Sequence, residues 1–397
     1  MKNRTRWTYG CVGLLAIALG ACGEDADLPD GVGRLDVCDD SGVACTWLGL
    51  KGESGFNGDG HHRLDTKVSQ VQDLLFHSDG SIWVTDFNNF LIRRVLADET
   101  VETVVGSITP IFPGDGPLSG PAPEGAPGLE WSLNHPTNLL EDQTASVLVV
   151  GWHNHKLLRV EPDTGWVTVV SGSGAGFAGD GAMAAKGALY KQPNDAVLGD
   201  DGSIYIVDQQ NQRIRKIDPD GMLSTIAGTG MPGFSGDGGP ALDAEFYWAF
   251  GSNPNPSGGI AYNDDVLYVS DTENNRVRSI DLTTGIVNTL AGDGQPDYGG
   301  DGGPAVSASL RGPRDLEIGP DGDLYVADTD NGVVRAIDLD SGDIRTVAGT
   351  GELGLDEEEG LGATKTMLRR PMGLSFDPDG HLYVMDTLND RIVRVAR

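Results

Sequence analysis

The feature that most constrains the fold is a unit repeated six times, whose marker is an aspartate followed three residues later by an asparagine. Successive marker asparagines lie between 57 and 65 residues apart. The copies are Asp86/Asn89, Gly151/Asn154, Asp208/Asn211, Asp271/Asn274, Asp328/Asn331 and Asp386/Asn389, the second with glycine in place of aspartate. Self-similarity at this period predicts a ring or array of supersecondary units.

Each unit contains four predicted strands. In the clearest copy, alternating apolar residues indicate strands over 195–198, 204–207, 214–217 and 223–227. The turns Asp201-Gly202 and Asp220-Gly221 are typical of hairpins, so the strands should be antiparallel.

The two ends of the chain predict a closed ring. The last copy stops at 393–397, after its third strand, while residues 46–60 match the fourth-strand stretch 224–238. The N-terminal strand should therefore complete the last blade, which leaves no open sheet edge. We expect an all-β fold over 38–397, a six-bladed β-propeller with four-stranded antiparallel blades.

The repeats resemble the NHL-repeat family in its bacterial extracellular form. The similarity is carried by residues 204–211, 324–331 and 234–241, the last reading Phe-Ser-Gly-Asp-Gly-Gly-Pro-Ala, and it spans roughly 45–397. It implies a propeller but no single activity, because members include recognition platforms, sensor domains, structural modules and a few lyases.

The N-terminus predicts export and lipid anchoring. A basic start is followed by a short apolar stretch and the sequence Leu-Gly-Ala-Cys, which resembles a bacterial lipobox with Cys22 as the lipid acceptor. The alternative is an ordinary signal peptide with a chance cysteine. We expect a signal peptide over 1–21, an acidic flexible tether over 22–37 and a monomer at the bacterial cell envelope. Gly23 favours the outer membrane, and the lipid should be the only membrane contact.

Charge and cysteine content narrow the partners. The net charge of −31 repels phosphate backbones, which excludes nucleic-acid binding. Cys38 and Cys45 are the pair left after processing, and an oxidising compartment favours a disulfide between them. A two-cysteine metal site is the alternative, but it lacks a second pair of ligands.

The long loops should carry function. In alternating strands, the loops between second and third strands share one face with the connections between units, and tight Asp-Gly turns occupy the other. The Asp-x-x-Asn side chains are expected to bond loop amides and the following arginine, and a ring of six ligand groups is the alternative. The Gly-Asp-Gly loops (Asp59, Asp115, Asp180, Asp237 and Asp301) are expected to cap backbone groups. Calcium is the alternative for the Gly-Asp-Gly loops.

One position departs from the family pattern. Where the family has Pro-x-Gly at the start of the first strand, the six copies read Asp73, Asn138, Asp195, Gly259, Asp315 and Gly373. The polar residues among them should ring the mouth of the central channel. They predict either a divalent cation, calcium first, or bonds to amides of neighbouring blades.

Histidines and aromatics suggest further contacts. His135, His153 and His155 lie in the second unit, where surface histidines are favoured over zinc, and His61 and His62 should reach the same face. Aromatic residues in the long loops predict either a ligand-binding face or plugs between blades. They are Trp131, Trp152, Phe246, Tyr247, Trp248 and Phe250.

These observations favour a non-enzymatic recognition or scaffold propeller. Its partner would be a protein, a glycan or a cationic ligand. The alternative is a divalent-metal-dependent hydrolase of the lactonase type, or a lyase, that uses Asp73, Asn138, Asp195 and Asp315 at the channel mouth.

Overall fold

The computed structural model describes residues 36–107, 116–117, 125–252 and 254–397, which form six antiparallel sheets of four or five strands and one two-stranded sheet. The first strands of successive sheets contact one another in a ring, so the sheets are the blades of a six-bladed propeller. The predicted fold class is confirmed. In this described part of the chain the remaining regular structure is short 3₁₀ turns, and no helix is long and apolar enough to cross a membrane.

The four main strands of each blade, a to d, run outward from the channel. Blade 1 contains Leu74–Phe76, Ile82–Asp86, Leu91–Val95 and Thr100–Val105. Blade 2 contains Pro136–Glu141, Val147–Gly151, Lys156–Val160 and Trp166–Ser171. Blade 3 contains Pro193–Leu198, Ile204–Asp208, Arg213–Ile217 and Leu223–Ala227. Blade 4 contains Ile260–Asn263, Val266–Asp271, Arg276–Asp281 and Ile286–Ala291. Blade 5 contains Pro313–Ile318, Leu324–Asp328, Val333–Ile337 and Asp343–Ala348. Blade 6 contains Pro371–Phe376, Leu382–Asp386, Arg391–Val395 and the N-terminal strand Val43–Leu48.

Five blades carry a fifth strand that the sequence analysis missed. Two-residue strands pair with strand d of blades 1, 2, 4, 5 and 6, namely His61–His62, Ala126–Pro127, Gly239–Pro240, Gly303–Pro304 and Leu361–Gly362. The connection between blades runs along the outside of the next blade, where its backbone pairs with the open edge of strand d. Another short pair joins Gly116–Pro117 to Trp131–Ser132.

Short 3₁₀ turns follow two kinds of strand. Those after strand b are Phe87–Asn89, Gln209–Asn211, Thr272–Asn274, Thr329–Asn331 and Thr387–Asn389. Those in the connections between blades are Gly128–Glu130, Ala241–Asp243, Ala305–Ser307 and Ala363–Lys365, and Asp36–Asp39 precedes the closing strand.

The ring closes as predicted. The N-terminal strand Val43–Leu48 pairs antiparallel with Arg391–Val395, with Ala44 opposite Val395 and Thr46 opposite Val393. The predicted disulfide between Cys38 and Cys45 is present, with Cα atoms 5.8 Å apart. Because Cys45 lies within the closing strand, the disulfide ties the residues before that strand to blade 6.

The apolar core lies between neighbouring blades. One buried cluster joins Val207 and Ile214 of blade 3 to Leu267 and Val269 of blade 4, and equivalent clusters lie between the other sheets. This packing holds the blades around the channel and fixes which residues meet at its mouth. The predicted signal peptide, the predicted lipid acceptor Cys22 and nearly all of the predicted tether lie outside the described residues.

Candidate functional site

The Asp-x-x-Asn motif is part of a buried ion network inside every blade except blade 2, where glycine replaces the aspartate. In blade 3, Asp208 accepts hydrogen bonds from Asn211 Nδ2 at 2.8 Å and from the Lys191 amide at 2.8 Å. Arg215 Nη1 lies 3.1 Å from Asp208, and Arg215 Nη2 lies 2.8 Å from Asp180 of the Gly-Asp-Gly loop. The same aspartate–arginine–aspartate bridge occurs at Asp86/Arg93/Asp59, Asp271/Arg278/Asp237 and Asp328/Arg335/Asp301.

This network assigns structural roles to both motifs. Burial raises the pKa of Asp208 to about 6, although the Lys191 amide, Asn211 and Arg215 stabilise its charged form. Asp180 does not cap backbone groups as predicted; its carboxylate binds Arg215 and the Thr225 hydroxyl, 2.7 Å away. Sequence reasoning expected the arginine that follows the marker to bind it, and Arg391 binds Asp386 in this way in blade 6. In blade 3 the partner is instead Arg215, seven residues after Asp208 on strand c. Asp115 lies outside the described residues.

Three aspartates at the channel mouth tie neighbouring blades together. Asp195 accepts from its own neighbour, the Ala196 amide, and from the Ile260 amide of blade 4, each at 2.8 Å. Asp73 binds the amides of Leu74 and Leu139 in this way, and Asp315 those of Leu316 and Leu374. Each aspartate of an odd-numbered blade therefore holds the innermost strand of the following even-numbered blade.

Two of the three even-numbered blades, 4 and 6, need glycine at the same position. A Cβ on Gly259 would lie 2.1 Å from the Arg314 carbonyl oxygen, and one on Gly373 would lie 1.9 Å from that of Gln72. Asn138 occupies the position in blade 2, where its Nδ2 donates to Asp73 Oδ2 at 3.2 Å. The residue at this position therefore alternates around the ring, with aspartate in odd-numbered blades and glycine or asparagine in even-numbered blades.

The three carboxyls favour their neutral forms. Burial raises the pKa of Asp315 to about 7, and burial together with repulsion from Asp315 raises the pKa of Asp73 and Asp195 well above the usual range. Each of their oxygens already accepts an amide hydrogen. Across the described ranges, no three or more histidine, cysteine or acidic side chains are arranged to hold a metal ion.

A small pocket of about 30 Å³ opens at this mouth, beside the ring. Its lining includes all four predicted metal-site residues, Asp73, Asn138, Asp195 and Asp315, which the structure therefore brings together. It also includes residues that precede the ring position, chiefly Asn194 and Arg314, which sequence reasoning missed. The signal in the sequence that could have pointed to Arg314 was the residue just before the ring position, which is arginine only in blade 5.

Arg314 is the unusual group in this pocket. It is 5% exposed, and its Nε and Nη1 have no hydrogen-bond partner. Eight arginines are buried in the described part of the chain, and the other seven form ion pairs with carboxylates. Burial and the nearby Arg370 lower the pKa of Arg314 to about 10, so the side chain stays charged at neutral pH.

The channel below the ring is a cavity of about 300 Å³. Its walls are formed by the innermost strands, with apolar residues such as Leu75, Leu140 and Val197. Glu141 and Glu317 are the acidic residues that line it below the ring. Burial, followed by repulsion from Asp315 and Asp195, raises the pKa of Glu317 well above its usual range.

Most of the predicted aromatic face is buried. Trp131, Trp152, Phe246 and Trp248 are at most 3% exposed, whereas Tyr247 is half-buried and Phe250 is 54% exposed. Phe246 and Trp248 stack 5.1 Å apart within the cluster between blades 3 and 4, and Trp248 Nε1 donates to the Ser270 carbonyl at 2.7 Å. The four buried rings fill gaps in and between blades, so only Tyr247 and Phe250 remain available to a ligand.

The histidines divide into two groups. The ring nitrogens Nδ1 of His135 and His153 lie 2.9 Å apart beside Trp152, and burial lowers the pKa of both to about 4. His61 and His62 form the outer strand of blade 1, away from the channel. The expectation that all these histidines reach one face is therefore wrong, because the connection to blade 1 runs outside strand d.

The fold and the channel mouth define a six-bladed propeller of the NHL-like class, and the comparisons agree. No protein-family model matches the sequence. SUPPRESSOR OF QUENCHING 1 of Arabidopsis thaliana is 28% identical over 309 residues, which is 75% of this chain and 27% of that protein. Human NHL repeat-containing protein 2 is 24% identical over 287 residues, or 66% of this chain and 38% of that protein. The chain spans well under half the length of these relatives.

A solved structure supports the architecture. An auxiliary nutrient binding protein from Bacteroides ovatus matches with a TM-score of 0.62 at 16% identity, over 89% of this chain and 76% of that one. At this identity the likeness shows the fold alone. Together, the repeat, the six blades and the relatives identify the chain as an NHL-like β-propeller.

Proposed function

We propose that this chain is a binding propeller whose ligand enters the channel mouth from the face that carries the long loops. The observation that carries this proposal is the unpaired Arg314. A buried charge without a partner is costly, and most buried polar groups in native proteins are hydrogen-bonded. The Oδ1 atoms of Asn138 and Asn194 are also buried without partners beside it. All three residues line the small pocket at the mouth, so a ligand bound there would lie beside them.

Binding is favoured over catalysis because the mouth carboxylates are already engaged. Asp73, Asp195 and Asp315 hold backbone amides of adjacent blades, so metal coordination would compete with contacts that close the ring. Tyr247 and Phe250, whose rings lie 5.9 Å apart on the same face, would contact a larger protein or glycan partner.

The cellular location of the protein is proposed from its N-terminal sequence. We propose that the propeller is exported and held at the envelope through lipid on Cys22. The basic start, short apolar stretch and Leu-Gly-Ala-Cys sequence support this proposal. Incorporation of radiolabelled palmitate into the wild type, but not into Cys22→Ser, would be the expected result.

A ligand screen with matched variants tests the binding proposal. Sugars, amino acids, organic acids and divalent cations would be added separately to the full chain, and thermal unfolding measured. A ligand that stabilises the wild type should fail to stabilise Asn194→Leu, at the mouth, and should still stabilise Asn288→Leu, on an exposed outer strand.

Two results would count against the proposal. Ligands that stabilise Asn194→Leu as well as the wild type would show that the site lies elsewhere. Turnover of lactones that is abolished by chelation would instead favour the metal-dependent hydrolase.

A further inference from the structure

The donor and acceptor groups at the channel mouth specify more than a ligand in general, and this inference rests on the binding function proposed above. Arg314 offers only hydrogen-bond donors and a positive charge. A carboxylate suits it well, because its two oxygens can accept paired hydrogen bonds from the planar guanidinium.

The two asparagines require the opposite chemistry. Asn194 Nδ2 donates to the Gly258 carbonyl at 2.9 Å, and because a carbonyl can only accept, Oδ1 must be the atom left without a partner. Asn138 is oriented in the same sense, since its Nδ2 donates to Asp73. Two buried acceptors therefore need donors from a ligand.

The polar groups around the pocket do not suit a simple ion. A bare anion at Arg314 would leave the amide oxygens of Asn138 and Asn194 without donors, and a bare cation would face the charge of Arg314. A molecule that carries both charges meets neither objection. Its ammonium group supplies three donors for the amide oxygens and its carboxylate binds the guanidinium.

The size of the pocket sets the remaining limit. A single water needs roughly 10–15 Å³ of such space, so a pocket of about 30 Å³ admits only the small polar end of a ligand. We infer that the channel mouth binds the ammonium and carboxylate groups of a free α-amino acid, between Arg314 and the amide oxygens of Asn138 and Asn194. The amino-acid side chain would project outward from the pocket, so side-chain selectivity should be weak.

Isothermal titration of the full chain tests this inference with L-alanine and two blocked forms. Alaninamide keeps the ammonium group and lacks the carboxylate, while N-acetylalanine keeps the carboxylate and lacks the ammonium group. Alanine should bind with a stoichiometry of one, and each blocked form at least tenfold more weakly. Absence of alanine binding up to 10 mM (roughly the weakest affinity class of a small polar ligand) would overturn the inference.

Variants of two arginines in blade 5 identify the group responsible. Arg314→Met should weaken alanine binding at least tenfold and leave the weak binding of alaninamide unchanged, because alaninamide has no carboxylate to lose. Arg345→Met is the matched control, since Arg345 lies on strand d with its side chain 47% exposed, and it should bind alanine as the wild type does. If Arg314→Met does not fold, Arg314→Lys retains the charge without the planar fork and should still bind more weakly.

The outcomes separate this inference from the function on which it rests. Equal alanine affinity in Arg314→Met and the wild type would overturn the amino-acid assignment. If another compound binds the wild type and loses affinity in Asn194→Leu, the mouth is a ligand site but not for amino acids. If no bound compound responds to substitution of Asn194 or Arg314, both proposals fail.

Discussion

Removing one buried arginine should reveal how strongly the motif network stabilises a blade. Arg335 is fully buried, and it lies 3.4 Å from Asp328, also fully buried, and 2.6 Å from the partly exposed Asp301. It also lies 5.3 Å from the centre of the Tyr298 ring. In Arg335→Met, the Asp328 carboxylate would remain buried without its cation.

The expected loss of stability follows from that geometry. Breaking a buried pair by removing one partner costs about 3–5 kcal/mol, because the remaining charge is left uncompensated. The exposed pair of Arg345 with Asp323, 2.6 Å apart in the same blade, should contribute about 0–1 kcal/mol. Arg335→Met should therefore lower the free energy of unfolding several times more than Arg345→Met.

The pH dependence gives a second, independent readout. Burial raises the pKa of Asp328 to about 6, and Arg335 opposes that rise, so the pKa should rise further in Arg335→Met. A raised folded-state pKa favours the folded state at low pH, and this contribution is lost as pH rises through that pKa. The destabilisation caused by Arg335→Met should therefore be larger at pH 8 than at pH 5.

Urea unfolding followed by tryptophan fluorescence at pH 5 and pH 8 measures both quantities from the transition midpoint and slope. The reasoning would be refuted if Arg335→Met were no less stable than Arg345→Met at pH 8. A destabilisation that is equal at both pH values would refute the role assigned to the Asp328 charge.

Two further predictions concern the ring at the channel mouth. Gly373→Ala would place its Cβ 1.9 Å from the Gln72 carbonyl oxygen and should destabilise the protein by about 3 kcal/mol or more. The control is Gly285→Ala, whose Cβ would meet no atom within 4 Å at φ +72° and which should cost only about 1 kcal/mol. Equal unfolding midpoints for the two variants would contradict this prediction. Burial raises the pKa of Asp315 to about 7, so the contribution of this side chain to stability should fall as pH rises from 5 to 8. Over that interval the melting temperature of Asp315→Asn should therefore drop less than that of the wild type. An unchanged drop would disprove the assignment.

The fold was predictable because each repeat is defined by patterns of residues that are close in sequence. Strand alternation, Asp-Gly turns and the spacing of the marker asparagines each depend on residues close in sequence, and closure followed from matching residues 46–60 to 224–238. The fifth strand of five blades was missed because a two-residue segment such as Gly239–Pro240 is too short to show alternation. Pairing with the edge of strand d makes it a strand.

The site was less predictable because burial and partners arise between distant segments. The sequence brought Asp73, Asp195 and Asp315 to one mouth, but not the backbone amides of neighbouring blades that they bind. Aromatic residues in a long loop looked exposed, yet Trp248 stacks on Phe246 between two sheets. Arg314 drew no attention in the sequence, since its significance is that two nitrogens of a buried guanidinium lack a hydrogen-bond partner.

The sequence alone therefore determined the number of blades, their strand order and the closing strand, since these depend on local alternation and on matching repeats. Tertiary structure decided which polar groups are paired and which are not. Pairing depends on distances between residues of different blades, as with Asp195 and Ile260, 65 positions apart. That is why the mouth of the channel, where six blades meet, could be located from the sequence but its unpaired groups could not.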